Sequence, residues 1–264
     1  MKTILFYNRK GGVGKTTSVV NVGACMSKVY AKRVLIIDVD PQGNSTRYLT
    51  TDKYCKLDKT IIDCFEEGAK KENIIHKVEI RPNLRINPVP TRMSLISSNE
   101  DMDFIEPEDE DIEHFIKFME SVKNDYDFCL VDAPPQPSVF VRIIMMIADF
   151  LVVPMQPDID SVKGYKIAIK ELKKIKEESN GKYAPAVLGV MINQHMENSK
   201  GINHFVQKIK SVPAMKCFET CISNAKVVRD ASSCGRPVIY YKPTHKVAEE
   251  YLDLTREILE RVGK

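Results

Sequence analysis

Lys10-Gly11-Gly12-Val13-Gly14-Lys15-Thr16-Thr17 is the stretch from which the rest of the chain can be read. Before it stands Thr3-Ile4-Leu5-Phe6-Tyr7, a short apolar run rich in strand formers. After it, Ser18 to Met26 reads as a helix. Strand, glycine loop and helix make the setting that a phosphate-binding loop needs. Glycines let backbone N–H groups turn inward around a polyphosphate. The helix that follows aims its positive dipole end at the same anion. In that geometry Gly11, Gly12, Val13, Gly14 and Thr17 line the nucleotide, Lys15 reaches the β- and γ-phosphates, and the Thr16 hydroxyl holds Mg²⁺.

Outward from this loop, Arg33-Val34-Leu35-Ile36-Ile37-Asp38 is a second strand, apolar at consecutive positions as a parallel strand buried on both faces should be. It runs into Asp38-Val39-Asp40-Pro41-Gln42-Gly43-Asn44. Carboxylates two residues apart on extended chain point the same way, and here they sit at a strand's carboxyl end, where α/β sheets place ligands. Tyr126 to Asp132 repeats the design, with Asp132 placed to bind Mg²⁺ directly or through water. Further strands are expected at Leu84–Pro90, Asp149–Pro154, Ala186–Asn193 and Cys217–Thr220, and residues 46–80 read as a less regular helical stretch. A helix over Ile159–Glu178 has Ile167, Leu172 and Ile175 on its apolar side and Lys163, Lys166, Lys170, Lys173, Lys174 and Lys176 outside. A last helix, Ala248–Val262, repeats Tyr251, Leu254, Ile258 and Val262. Alternating strands and helices predict an α/β fold: a doubly wound, mainly parallel sheet with helices on both faces. A P-loop, a carboxylate pair and a strand-tip aspartate make an ATP·Mg²⁺ hydrolysis site.

One departure is informative. The strict pattern G-x-x-x-x-G-K-[ST] asks for glycine at position 9, where Arg9 stands, and a second lysine, Lys10, precedes the glycine pair. This arrangement resembles the deviant Walker A motif of the ParA/Soj/MinD ATPases. Asp38-x-Asp40-Pro41-Gln42-Gly43-Asn44 resembles the A′ motif of ParA and Soj, and Ala133-Pro134-Pro135-Gln136 resembles their switch II segment. Gly235-Arg236-Pro237-Val238 resembles a Gly-Lys-Pro-hydrophobic element, although Arg229-Asp230-Ala231-Ser232 stands where the family has Ser-Glu-Ala-Pro. The resemblance covers nearly the whole chain and implies one P-loop ATPase domain over residues 1–264. It implies that Asp40 positions and activates the attacking water, with Asp38 supporting the metal shell. Asn193 would contact adenine, although a turn residue ending a strand reads the same. ATP would sandwich two subunits, the Lys10 of each reaching the other's phosphates. The dimer would bind DNA without sequence preference until a ParB-type centromere-binding partner stimulates hydrolysis, in plasmid or chromosome partitioning at a cytoplasmic, nucleoid-associated location. The rival is a MinD-like positioning or regulatory ATPase acting on a membrane or protein partner. A metabolic P-loop kinase is a third reading, but it leaves Lys10 without a job.

Charge bears on the partner. Residues 1–160 carry 20 Lys/Arg against 25 Asp/Glu, a balance of −5; residues 161–264 carry 19 against 11, a balance of +8. The basic portion suits an anionic partner or plain solvated helix faces. The candidates for DNA phosphates are Lys226, Arg229, Arg236, Lys242 and Lys246. A membrane partner is disfavoured, because the last helix carries Glu249, Glu250, Asp253, Glu257 and Glu260 and reads as core packing. Between 100 and 113 lie nine acidic residues, expected as a solvated loop entering a helix more than as a metal site, with Ile112, Phe115, Ile116 and Met119 as core. Seven scattered cysteines, an odd number without C-x-x-C pairs, read as reduced thiols. No stretch is apolar over a membrane-spanning length. The chain enters its first strand almost at once, so neither a leader nor the helix-turn-helix module of longer ParA relatives is expected before it.

Overall fold

The computed structural model describes residues 1–50, 57–81 and 87–263. The apolar runs become the middle of one eight-stranded sheet. In chain order the strands are β1 (Lys2–Phe6), β2 (Val34–Asp38), β3 (His76–Ile80), β4 (Val89–Ile96), β5 (Phe128–Asp132), β6 (Phe150–Met155), β7 (Ala186–His195) and β8 (Cys221–Ser223). Their order across the sheet is β3-β4-β2-β5-β1-β6-β7-β8. Every pairing is parallel except β3 with β4. All five residues of β2 and of β5 are buried. Side chains of a strand alternate between faces, so Leu5, Leu35, Ile37 and Val131 enter one core and Ile4, Val34, Ile36 and Leu130 the other. Two cores on two faces explain runs that are apolar without alternation.

The helices are α1 (Lys15–Lys28), α2 (Asn44–Thr50), α3 (Lys71–Ile74), α4 (Asp109–Val122), α5 (Val139–Ile147), α6 (Ile159–Glu178), α7 (Lys200–Lys210), α8 (Lys226–Ser233), α9 (Val238–Tyr241) and α10 (Lys246–Arg261). α4, α5 and α6 bring Phe115, Ile144 and Leu172 to the first core. α1 and α10 bring Val19, Val22, Tyr251 and Leu254 to the second. β1 lies between β5 and β6, while its chain continues through α1 to β2 on the far side of β5. That reversal opens a crevice at the strands' carboxyl ends. In the register Phe6 and Asp38 both lie opposite Asp132, so the glycine loop and the two strand-tip aspartates meet there.

Several expectations shift. The 46–80 stretch contains β3, an edge strand in which only Val78 and Ile80 are buried; its charged alternate positions hid it. Within the same stretch Asp63 caps a 3₁₀ turn at Ile61–Phe65 through the backbone N–H of Thr60. Of the strand expected over Leu84–Pro90, Val89 and Pro90 open β4, whereas Leu84–Ile86 lie outside the described residues, as does Cys55. Pro90 is tolerated near the start of β4, opposite the edge strand. Ile116 and Ile167 face solvent, at 36% and 44% exposure, because each sits on the outer side of its helix. β8 falls at Cys221–Ser223, four residues later than expected at its start. The acidic 100–113 segment is a 3₁₀ turn (Glu100–Phe104) leading into α4. Among the described residues no helix is long and apolar enough to cross a membrane.

The acids of α10 do more than face water. Glu257 accepts from the backbone N–H groups of Glu219 and Thr220, each at 2.8 Å, and from the Thr220 hydroxyl at 2.6 Å. Glu250 accepts from the Ser223 N–H at 2.7 Å and from its hydroxyl. A short edge strand is thereby tied to the helix that covers it. Glu257→Ala leaves three donors without their acceptor. It is expected to destabilise the chain by about 2 kcal/mol and lower the melting temperature by roughly 4–8 °C, whereas the exposed Glu260→Ala changes little; thermal denaturation followed by circular dichroism checks both.

Candidate active site

The glycine loop is held by its carbonyls. Gln156 Nε2 and Gln194 Nε2 donate to the Gly12 carbonyl at 3.1 and 2.8 Å, and Asn193 Nδ2 donates to that of Val13 at 3.0 Å. The backbone N–H groups from Gly11 to Thr17 find no acceptor among the described residues. Free N–H groups at the start of a helix are an anion site in waiting. Gly12 and Gly14 adopt φ of 74° and 85°, which favours glycine. A Cβ on Gly14 would also lie 2.1 Å from Asn193 Nδ2. Gln194 holds a φ of 54°, a strained value for a side-chain-bearing residue, at the point where its amide reaches the loop. Lys15 is 7% exposed and curls over the loop, donating to the carbonyls of Lys10 (3.2 Å) and Asn8 (3.4 Å). Burial lowers its pKa, and the charges of Asp132 and Asp40 work against that shift. A phosphate seated on the loop would supply the negative charge that this ammonium lacks.

The carboxylates divide the labour. Asp38 is fully buried and spends its oxygens on its own loop: Oδ1 accepts from the Asp40 N–H at 3.1 Å, and Oδ2 from the N–H and hydroxyl of Thr46 at 2.8 and 2.9 Å. Asp132 Oδ2 accepts from the Ser45 hydroxyl at 2.8 Å, while its buried Oδ1 has no partner. Burial pushes both carboxyls above the usual range; the charge of Asp132 adds to the effect on Asp38, and the Thr16 and Ser45 hydroxyls pull Asp132 back. An orphaned carboxylate oxygen beside a threonine hydroxyl and two further acids fits a divalent cation. The residues offering direct ligands are Asp132 and Thr16, with Asp38 holding the loop in place. Asp40 is 8% exposed. Its Oδ1 accepts from the Gln42 N–H at 3.0 Å, and its Oδ2 has no partner among the described residues. Asp40, Lys15, Thr16, Gln42, Pro135 and Gln136 all border one open cleft of about 440 Å³. A second cleft of about 410 Å³ shares Thr16, Thr17 and Asn44 with it and runs on to Tyr48, Ser232 and Ser233, wide enough to continue a nucleotide beyond its phosphates.

Lys10 lies on its own chain. Its ammonium is 2.6 Å from Asp158 Oδ2 and 2.9 Å from Gln156 Oε1, where Asp158 also caps α6 through the Ser161 N–H. Burial raises the Asp158 carboxyl, but the hydrogen bond and charge of Lys10 together with the hydrogen bonds from Ser161 outweigh it and hold it below the usual carboxylate range. Arg9, the residue in place of the missing glycine, pairs with Glu171 of α6 at 3.3 Å, and the same carboxylate accepts from the Tyr7 hydroxyl at 3.0 Å. Asn8, wholly buried, donates to the Pro154 carbonyl at 2.8 Å and accepts from the Lys10 N–H at 3.0 Å. A Cβ on Gly164 of α6 would lie 2.1 Å from Asn8 Oδ1. Sequence reasoning passed over Asn8, Ser45, Gln156 and Gln194. The available signal was a polar residue at or just beyond the end of a buried strand or, for Ser45, in the first turn of α2.

The remaining candidates separate. Asn193 is 4% exposed and both ends of its amide are engaged, with Val13 and with the Gln194 N–H; its evident work is on the glycine loop. Lys226, Arg229 and Lys242 are exposed. Arg236 is half-buried over the Tyr241 ring, 5.5 Å from its centroid, and the exposed Lys246 pairs with Glu197 and Glu250. The six described cysteines are free thiols.

Similarity to known proteins extends over nearly the whole chain. A family model described as an AAA domain matches residues 1–184. The sporulation initiation inhibitor protein Soj of Bacillus subtilis is 28% identical over 258 residues, covering 97% of this chain and 98% of that protein. The chromosome-partitioning ATPase Soj of Treponema pallidum is 27% identical over 263 residues, covering 100% and 99%. In fold, the chain is similar to an ATP complex of a variant McdA from Cyanothece, with a TM-score of 0.79, 18% identity and coverage of 100% and 96%.

Asp132→Asn removes one of two carboxylates buried side by side while keeping an acceptor for Ser45. The nucleotide-free variant is expected to melt higher than the parent, by about 1–2 kcal/mol of added stability. Its nucleotide affinity is expected to lose the dependence on Mg²⁺ that the parent shows, as calorimetric titrations with and without EDTA would reveal.

Proposed function

The chain belongs to the ParA/Soj family of ATPases, and from that premise we propose that it is an ATP-driven partitioning switch, one domain over residues 1–264, whose nucleotide-bound dimer holds DNA. The observation that carries the proposal is a single cleft lined by the glycine loop with its free N–H groups, Lys15, Thr16 and Asp40 with its open Oδ2, together with the buried Asp132, whose Oδ1 is unpartnered and whose carboxyl interacts with Thr16 and Lys15 of that lining. The loop and Lys15 bind the β- and γ-phosphates. Thr16 and Asp132 hold Mg²⁺, which when bound offsets the charge that builds on the transferring phosphoryl group. Asp40 orients the attacking water and accepts from it. Such a site needs little covalent chemistry from the protein, because positioning and charge do most of the work. Slow turnover suits a switch, since the bound state must last long enough to be used.

Two further steps complete the reading. Lys10 leaves Asp158 and reaches the phosphates of a second subunit, so ATP cements a dimer. Lys226 and Arg229, one turn apart on α8, and Lys242 just beyond α9 then face DNA phosphates from both subunits. No base-edge reading is expected. A ParB-type partner would end the cycle by stimulating hydrolysis, and the location would be cytoplasmic, on the nucleoid.

The dimer step is checked by light scattering with ATP. Asp40→Ala is expected to bind ATP and stay dimeric while hydrolysis falls, and Lys10→Ala to bind ATP but remain monomeric. A monomeric Asp40→Ala protein or a dimeric Lys10→Ala protein contradicts the assigned roles.

The partner is checked by sedimenting ATP-loaded and ADP-loaded protein with plasmid DNA and, separately, with anionic liposomes. Binding is expected to DNA alone and with ATP alone, with log affinity falling against log salt at a slope of about −0.9 per phosphate contact. Arg229→Ala and Lys242→Ala are expected to weaken binding on unrelated sequences alike and flatten that slope, with ATP affinity unchanged. Binding to liposomes instead would favour a positioning ATPase of the same fold.

A further inference from the structure

Resting on the reading of Asp40 as the water-orienting residue, we infer that Ser98 is the positioning residue that fixes Asp40 against the sheet. The Asp40 backbone is held at both ends. Its N–H donates to Asp38 Oδ1 at 3.1 Å, and its carbonyl accepts from the Gly43 N–H at 2.8 Å and from Ser98 Oγ at 2.7 Å. Its carboxylate takes the Gln42 N–H. All of these partners but one belong to residues 38–43 and would move with the loop. Among the described residues Ser98 is the only hydrogen-bond partner of Asp40 from outside that loop.

Ser98 is well placed for the task. It stands two residues beyond β4, whose Ile96 lies opposite Ile37 of β2 in the register. It is 6% exposed. Its N–H donates to Thr46 Oγ1 at 3.0 Å, and that hydroxyl in turn donates to Asp38. A Cβ on Gly43 would lie 3.2 Å from the Ser98 carbonyl oxygen, so the loop rests directly on this backbone. One residue thus anchors both ends of the catalytic loop to the neighbouring strand; its hydroxyl also lies 2.9 Å from Met102 Sδ, but a thioether is a weak acceptor and the Asp40 carbonyl at 2.7 Å is the stronger one. Without that bond the loop stays tethered at Thr46 but is free to tilt at Asp40, and displacements well under an ångström matter to an in-line attack.

The test is steady-state ATP turnover of the full chain. Ser98→Ala is expected to lower kcat by roughly tenfold while KM for ATP and ATP-dependent dimerisation stay at parental values. Ser98→Thr, which keeps the hydroxyl, is expected to restore most of the activity. Ser98→Cys, of similar size and with a weak donor, carries the test if alanine does not fold, with the same loss expected. In an Asp40→Ala background, removing the Ser98 hydroxyl is expected to change kcat no further, whereas a merely structural role would lower it again. Parental kcat in Ser98→Ala beside a crippled Asp40→Ala overturns this inference alone. Equal losses from the Ser98 change with and without Asp40 also overturn it. Parental turnover in Asp40→Ala overturns the reading of Asp40 and this inference with it.

Discussion

Two carboxylates, Asp38 and Asp132, lie opposite one another at the tips of adjacent parallel strands and are almost completely buried. Charges this close and this dry repel and resist ionisation, so the surroundings must either satisfy each oxygen or leave it for a cation. The chain does both. Asp38 receives three hydrogen bonds from residues 40 and 46. That pulls the segment after β2 into a tight loop and swings Asp40 over the cleft. Asp132 receives one, from Ser45, and keeps one oxygen open. The A′ segment is therefore shaped by the need to quiet one acid, and the metal position by the decision to leave the other unquiet.

The glycine loop obeys the same economy of polar groups. Its carbonyls would compete with phosphate if they turned inward, and amide side chains at the ends of β6 and β7 draw them away. The Gln194 backbone accepts a left-handed conformation to deliver one of those amides. Arg9, Lys10 and Asn8 tie the entry of the loop to β6 and α6. Nucleotide and α6 are thus mechanically close, which gives any partner touching α6 a short path to the loop.

Much of this was legible. The P-loop, the strand-tip aspartates and the long helix Ile159–Glu178 follow from composition at fixed spacing, because buried parallel strands and glycine loops tolerate few alternatives. The sheet edge was not legible. β3 alternates charged and apolar residues over five positions, and β8 is three residues long, so neither buries enough to leave a periodic signal. The supporting amides and hydroxyls were also missed. Asn8, Ser45, Ser98 and Gln156 look like ordinary polar residues until folding brings partners up to 153 residues apart into contact. Charge counting is blind to partners for the same reason: the contacts of Lys246 with Glu197 and of Arg236 with Tyr241 are revealed only by tertiary structure.

On the proposed function, the resting place of Lys10 sets how easily the switch is thrown. Its pair with Asp158 is a partly exposed one, the two side chains being 26% and 39% accessible. Pairs of that kind are worth about 0–1 kcal/mol, since water screens them and side-chain entropy opposes them. A desolvated lysine–phosphate contact across a closed dimer interface is charge-assisted and stronger. On the proposed reading, exchanging Asp158 for a phosphate is therefore downhill once ATP and a second subunit are present, and slightly uphill without them. A cis pair much stronger than this would hold the protein monomeric even with ATP bound; no pair at all would leave a free cation beside the loop, attracting anions indiscriminately. The modest strength of the Lys10–Asp158 contact is what lets the nucleotide decide.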